Sequence, residues 1–329
     1  MGWAIKTSLD WLIALRPSGL SGCRQSRDTG IECVAQTAIE TIGYYGLIIK
    51  TKNKIALARL IQVPIMFVRK LFKLKTKVIT RRKGFKWFLD LDEGIDFAIY
   101  LYGQFEPATA KAISSFVNPG DVVLDVGANI GAHTLPLAQV VGTNGRVIAF
   151  EPTKYAFSKL VDNLSLNPEW AERISLEQIM LLGDENSLPA AALYSSWPLG
   201  GSKQQHAKHC GKLESTEGAK ACTLDSYIAR NEIDRVKVVK IDVDGFEVEV
   251  VRGGLNFLKQ QHPIIVMELA PYTLEERGSS LETLLGMLSD VGYVLRNQDN
   301  GHPLPIQAPE LRAYIPDGGS INVVARASH

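Results

Sequence analysis

Two short runs in this 329-residue chain concentrate side chains able to do chemistry. In the first, Asp125-Val126-Gly127-Ala128-Asn129-Ile130-Gly131-Ala132-His133-Thr134, a carboxylate precedes a glycine-bearing turn. Glycine carries no Cβ, so a ligand can approach the backbone there, and a helix opening after the turn offers unpaired amide donors. Further on, Phe150-Glu151-Pro152 supplies a carboxylate suited to two neighbouring ribose hydroxyls, each donating to one oxygen. In the second run, Lys240-Ile241-Asp242-Val243-Asp244, charged and apolar residues alternate. If the run stays extended, all three charged side chains project to one side. Charges in such a place are costly unless they are paired or used. Mutual Lys–Asp compensation is one reading, and a cluster facing a reacting hydroxyl is the other.

The turn discriminates between ligands. A dinucleotide fingerprint requires G-x-G-x-x-G, whereas here Asn129 stands at the second glycine position, and Asp125 would repel a pyrophosphate. A cationic ligand bearing an amino acid makes that carboxylate an asset. S-adenosylmethionine has a sulfonium, an ammonium and no phosphate, and is the cofactor these residues favour. Methyl transfer is an in-line displacement in which an acceptor hydroxyl loses its proton, so the site needs alignment and a base. Asp242, Glu268 and His133 are the candidates, the imidazole having the best-matched pKa; for His133 a lining role without chemistry competes. Glu106 ends the run Tyr102-Gly103-Gln104-Phe105-Glu106, which precedes the first main strand and is placed to fold over the site. No metal is expected, because His206-x-x-His209-Cys210 lacks a second spaced pair and Lys240 opposes a cation at Asp242 and Asp244.

Strands must hold these groups. Val122-Val123-Leu124-Asp125-Val126, Arg146-Val147-Ile148-Ala149-Phe150, Val236-Lys237-Val238-Val239-Lys240-Ile241 and Ile264-Ile265-Val266-Met267 are nearly continuous in branched apolar residues, as strands covered on both faces must be. Separated by helical stretches over 155–163 and 280–290, they predict an α/β fold with a parallel sheet beginning near Phe85. Tyr293-Val294-Leu295 and Asn322-Val323-Val324-Ala325 read as closing strands. The polar stretch 195–217 reads as a long loop or irregular hairpin near the active face.

The string Gly120-Asp121-Val122-Val123-Leu124-Asp125-Val126-Gly127-Ala128-Asn129-Ile130-Gly131, then Ala149-Phe150-Glu151-Pro152, then Lys240-Ile241-Asp242-Val243-Asp244-Gly245-Phe246-Glu247 with Glu268 after it, resembles the FkbM-type family of S-adenosylmethionine-dependent (class I) O-methyltransferases. Agreement extends to Leu89-Asp90-Leu91-Asp92 and to Thr223-Leu224-Asp225-Ser226-Tyr227; Asp244 departs, standing where the family usually shows Glu. The resemblance implies a doubly wound, mostly parallel seven-stranded Rossmann-like sheet with one antiparallel strand at its edge. It implies that Asp125, Gly127, Asn129 and Gly131 cradle the methionine part, that Glu151 holds the ribose, and that Pro152 and 180–182 lie by the adenine. Lys240, Asp242, Glu268 and His133 would then form the catalytic set, with Glu106 and Asp244 toward the acceptor. That acceptor is a hydroxyl on a sugar, a lipid-linked saccharide or another small metabolite. Amino-group methylation of nucleic acid is disfavoured, since Asp242-Val243-Asp244-Gly245 replaces the Asn/Asp-Pro-Pro-Tyr/Phe motif of such enzymes. A non-catalytic or membrane-associated scaffold that binds the cofactor is the alternative, and a broken turn or a missing Glu151 would mark it.

Charge divides the chain. The stretch 50–86 holds thirteen Lys/Arg and no acid, leaving 23 basic and 35 acidic residues elsewhere. An acidic main domain opposes nucleic-acid binding. The basic stretch, threaded with apolar residues, predicts an amphipathic element in peripheral contact with anionic membrane; a solvated packing arm is the plainer reading. The expected division is a basic, apolar appendage over 1–80, helical after Val34, and the methyltransferase domain over 81–329. No apolar run reaches the roughly 18 residues a span needs, and 1–20 lacks a secretory pattern. Four cysteines without a CxxC pair read as free thiols in a reducing compartment. The expected location is therefore cytoplasmic, at the inner face of a membrane; oligomeric state is not legible.

Overall fold

The computed structural model describes residues 51–200, 205, 206, 208 and 210–328. The helix expected after Val34, with Cys23 and Cys33, lies outside the described residues; Cys210 and Cys222 are free thiols. The described chain opens with helix α1 (Thr51–Leu71), an antiparallel hairpin of β1 (Lys77–Arg82) and β2 (Phe85–Asp90), and helices α2 (Gly94–Tyr102) and α3 (Pro107–Ser114). Strands then alternate with helices: β3 (Val122–Val126), α4 (Thr134–Val140), β4 (Arg146–Phe150), α5 (Lys154–Ser165) and β5 (Ile174–Glu177). An insertion follows, made of β6 (Ile179–Leu181), the antiparallel pair β7 (Ala192–Ser196) and β8 (Lys212–Ser215), and β9 (Lys220–Cys222). The irregular stretch expected over 195–217 is largely this hairpin. After α6 (Leu224–Arg230), the alternation resumes with β10 (Val238–Ile241), α7 (Glu247–Arg252), α8 (Leu255–Gln261), β11 (Ile264–Leu269), α9 (Pro271–Glu276) and α10 (Leu281–Asp290). It closes with β12 (Tyr293–Asn297), β13 (Pro303–Leu304), α11 (Ala308–Arg312) and β14 (Ile321–Ala327).

The main sheet runs β13-β12-β14-β11-β10-β3-β4-β5. It has eight described strands rather than seven, the extra one being the two-residue β13. The antiparallel strand expected at the edge lies inside it: β14 runs opposite to both β11 and β12. The edge itself falls to β13, whose Pro303 cannot donate to a further strand and suits an edge.

Side chains alternate between the two faces of the sheet. Val123, Val147, Val238 and Val266 pack into one apolar layer, and Leu124, Ile148, Val239 and Ile265 into the other. Helices on both faces bury both sets, which is why the strands read as unbroken apolar runs. From β3 the chain winds outward to β4 and β5, then returns to β3's other flank as β10 and β11. Such a reversal opens a crevice at the carboxyl ends of the strands. Register levels those ends, pairing Asp125 with Lys240 and Val126 with both Ile241 and Phe150.

The boundary anticipated at residue 80 falls inside β1, and 51–80 belongs to the compact unit Ile48–His329. The reason is one half-buried stripe of α1: Ile55, Ala58, Ile61 and Ile65 pack on the layer containing Leu89 and Phe97. Gln62 Nε2 donates to the Leu91 carbonyl at 2.7 Å and fixes the helix's rotation.

Candidate active site

Beyond Val126 the chain leaves β3 through Gly127, whose φ of +81° is one that only glycine adopts at little cost. A Cβ on Gly127 would lie 1.8 Å from the Asp242 carbonyl oxygen, so the two strand ends approach at the distance glycine permits. Asn129, at φ +49°, turns its amide to Glu151 Oε2 at 3.0 Å, and its side chain accepts from Ile130 N at 2.9 Å. Gly131, at φ +90°, leaves space that a Cβ would take from Leu160. The turn thus delivers its backbone to the carboxyl edge of β4 before α4 begins.

Asp125 is fully buried beneath the turn. Thr134 Oγ1 donates to its Oδ2 at 2.6 Å; Oδ1 forms an ion pair with Lys240 Nζ at 3.3 Å and takes no hydrogen bond. A tight turn above a carboxylate with one oxygen free of hydrogen bonds fits a ligand bearing an ammonium and a sulfonium.

Glu151 is likewise buried and receives Thr153 N at 2.9 Å and Thr153 Oγ1 at 2.6 Å on Oε1. Burial pushes its carboxyl above the ordinary value, against the pull of the Thr153 and Asn129 bonds and of Lys240. Ser195, on β7, sits against this pair: Thr153 Oγ1 reaches its Oγ at 2.8 Å, and Asn129 Nδ2 reaches its carbonyl at 3.1 Å. Pro152 follows Glu151 at the mouth, and 180–182 are buried nearby.

Lys240 Nζ lies 3.1 Å from the Gly127 carbonyl and 3.6 Å from Asp242 Oδ2. Burial disfavours its charge, but Asp125, Asp242 and Glu106 outweigh that and hold the ammonium above its ordinary value. The Lys–Asp compensation that the sequence offers as one reading is present. Asp242 is the open end of the group, its side chain 32% exposed. His133 is buried at the start of α4 with Nε2 unbonded, its ring edge-on to Phe105 at 6.2 Å. Burial, with Lys240 adding to it, depresses the imidazole to about 4. Glu106 opens α3 at φ +41°, next to the Phe105 that meets the His133 ring.

Asp244 leaves the extended line of this group, while Glu268 lies one place beyond the Ile241–Met267 pair, level with Asp242. β10 stops at Ile241, and Asp244 turns to φ +47°, so the extended alternation of Lys240, Asp242 and Asp244 is not kept. Asp244 instead lines a cleft of about 130 Å³ with Tyr194, Thr273, Glu276 and Arg277. Burial first, then Asp242, Glu268, Glu247 and Glu151, push its carboxyl well above the usual range. Glu268, on β11 opposite Asn322, accepts the Ser320 hydroxyl. Among the described residues no group of three or more His, Cys, Asp or Glu is placed to hold a metal.

Sequence reasoning missed four contributors. Thr134 and Thr153 stand beside Asp125 and Glu151, and their hydroxyl donors were the one signal that could have found them. Glu247 accepts from Val243 N and Gly245 N at 3.3 Å each, staking the turn after β10, and burial pushes it up to about 7. Glu93 accepts from Ser196 Oγ at 3.1 Å and Trp197 N at 2.9 Å, docking the β7–β8 hairpin from more than a hundred residues away. That separation left no local signal.

The chain is similar to known methyltransferases. Residues 125–295 match the family described as Methyltransferase FkbM domain. The hexuronic acid methyltransferase AglP of Haloferax volcanii is 30% identical over 146 residues, covering 44% of this chain and 55% of that protein. The chain thus spans about half the length of the curated relative it matches. Methyltransferase FkbM from Methylobacillus flagellatus KT aligns at 16% identity with a TM-score of 0.38, covering 69% of this chain and 49% of that one. An SAM-dependent O-methyltransferase from Thermotoga maritima aligns at 12% identity with a TM-score of 0.37, covering 80% and 82%.

Proposed function

The chain belongs to the FkbM methyltransferase family, and on that premise we propose that it moves a methyl group from S-adenosylmethionine to a hydroxyl of a sugar, a lipid-linked saccharide or another small metabolite. One observation carries the reading: three strand ends, level across the reversal of the sheet, bring Asp125, Glu151 and Asp242 around a turn whose Gly127 lets the ends of β3 and β10 approach closely. The curated relative named as a hexuronic acid methyltransferase supports a sugar as acceptor.

Bound here, the cofactor supplies an electrophilic methyl carbon whose bond to sulfur breaks as the acceptor oxygen bonds to it, releasing S-adenosylhomocysteine. Asp125 would meet the ammonium beside the 127–131 turn, whose own amides are held by Phe150, Glu151, Asn129 and Ala128. Glu151 receives the ribose hydroxyls, and Pro152 and 180–182 border the adenine. Lys240 pairs with Asp125 and Asp242 and holds them in place. Asp242 is the favoured base, being the partly exposed carboxylate of the group, and takes the hydroxyl proton as the new C–O bond forms. Glu268 is engaged by Ser320 and His133 is depressed far below neutrality, so both rank behind it. Glu106 and Asp244 flank the acceptor's approach. The enzyme acts in the cytoplasm beside an anionic membrane, reached through 50–86.

Two measurements test this. Full-length protein titrated calorimetrically with S-adenosylhomocysteine should release binding heat; its absence would overturn the cofactor site, and heat without any methyl transfer would favour the non-catalytic scaffold. Labelled methyl should then pass to members of a panel of sugars, glycolipids and hydroxylated metabolites, and labelling of nitrogen alone would overturn the hydroxyl acceptor.

A further inference from the structure

The basic stretch has two unlike faces. At about 100° per residue, Leu60, Val63, Phe67 and Leu71 fall within an arc of about 80° on α1, and they are 73%, 58%, 68% and 70% exposed. The half-buried stripe of Ala58, Ile61 and Ile65 lies on the opposite side, held by Gln62. Rotating the helix to hide the outer stripe would uncover the inner one and break the Gln62 bond. Phe72, Leu74 and Ile79 of β1 add further exposed apolar side chains just beyond. Arg59, Lys70, Lys73, Lys75, Lys77 and Arg81 surround them, also exposed. Isolated apolar residues on a surface mean little, but an aligned stripe fringed by unopposed cations is an interaction surface.

We propose that this outer face of α1, continued by β1, lies in the plane of an anionic lipid leaflet, with Leu60, Val63, Phe67 and Leu71 seated at the headgroup boundary. Charge selects the occupant. With no acid anywhere in 50–86, the face has no counter-ion of its own and calls for a dense negative surface. The segment 1–49 carries four basic and four acidic residues and offers no such excess. No helix among the described residues is long and apolar enough to cross a membrane, so contact in the plane is the mode this face allows.

The face is joined to the candidate site through one residue. Asp92 accepts Gln62 Nε2 on its side chain at 3.2 Å and Leu199 N on its carbonyl at 2.7 Å, while the adjacent Glu93 holds Ser196 and Trp197. A docked α1 would thus sit two contacts from the hairpin that touches Glu151. The inference deepens the acceptor reading and rests on it, since an enzyme held this way meets hydroxyls of lipid-linked saccharides.

The test uses full-length protein and sedimentation with vesicles of phosphatidylcholine alone or with phosphatidylserine added. The expected result is binding that requires phosphatidylserine, with part of it surviving high salt. Replacing three stripe residues (Leu60→Ser, Phe67→Ser and Leu71→Ser) should cut binding about tenfold and abolish the salt-resistant part. S-adenosylhomocysteine affinity should be unchanged in that variant. Retained cofactor binding shows that the variant is folded and keeps this test separate from the methyltransferase reading. Equal binding of both proteins, absence of binding to either vesicle, or a wild-type dimer that the triple variant dissolves would each overturn the proposal.

Discussion

Lys240 Nζ stands 3.3 Å from Asp125 Oδ1, and both residues are buried at the carboxyl edge of adjacent strands. A buried carboxylate keeps its charge only beside a cation, so Lys240→Met should destabilise the protein by about 3–5 kcal/mol. Adding Asp125→Asn to that variant should restore much of the loss, because no unpaired charge then remains. Urea denaturation reads both, and a single variant within about 1 kcal/mol of wild type would show that the pair is not coupled.

Gly127→Ala should be more damaging than a methyl group suggests. The added Cβ would lie 1.8 Å from the Asp242 carbonyl, and the residue would have to hold φ +81°. Overpacking and left-handed strain each cost about 1–3 kcal/mol, and the strand ends must part. Denaturation should show the loss, and calorimetry should show weakened S-adenosylhomocysteine binding. Wild-type values in both would contradict the close approach.

Glu151→Gln keeps an acceptor for Thr153 N but removes the charge that a ribose would bond. Each charge-assisted hydrogen bond contributes about 1.5–3 kcal/mol, so affinity for S-adenosylhomocysteine should fall at least tenfold. Far-ultraviolet circular dichroism should stay as in wild type. Unchanged affinity would remove Glu151 from the ribose site.

Much of this was legible because parallel strands advertise themselves. Branched apolar runs located β3, β4, β10 and β11, and the glycine turn located the end of β3. Strand ends are fixed by register, so Asp125, Glu151 and Asp242 could be grouped from their places in those runs. Asp244 could not, because its departure depends on a single left-handed residue after Ile241. Docking of the hairpin by Glu93, and the division of α1 into packed and open faces, depend on contacts between segments far apart in sequence. The two-residue β13 is too short to leave a periodic signal.

The choice of base yields a graded prediction. Asp242→Asn should lower the methyl-transfer rate by about 10²–10⁴ and leave cofactor affinity within a few-fold. Glu268→Gln and His133→Asn should slow it less, since one carboxylate is engaged by Ser320 and one imidazole is a weak base. Single-turnover assays with a saturating acceptor separate chemistry from binding. A Glu268 variant slower than the Asp242 variant would move the proton acceptor to β11.

His133 should also give the fold an acid-sensitive limit. Its imidazole is depressed from 6.5 to about 4 by burial, with Lys240 adding to the effect. The unfolded chain therefore binds a proton there more readily than the folded one between those values. Linkage then requires stability to rise with pH across that window and to be lost as pH falls from about 6.5 towards 4. A shift of this size corresponds to a loss of about 3 kcal/mol on full acidification. His133→Asn cannot titrate, so stability differences between variant and wild type should change across pH 4–6.5 and level off above it. Urea denaturation at several pH values measures that difference, and the imidazole's nuclear magnetic resonance titration locates its pKa. A parallel pH dependence in both proteins, or an imidazole titrating near 6.5, would show that His133 meets water and is not the sealed neutral group the structure places beside Lys240.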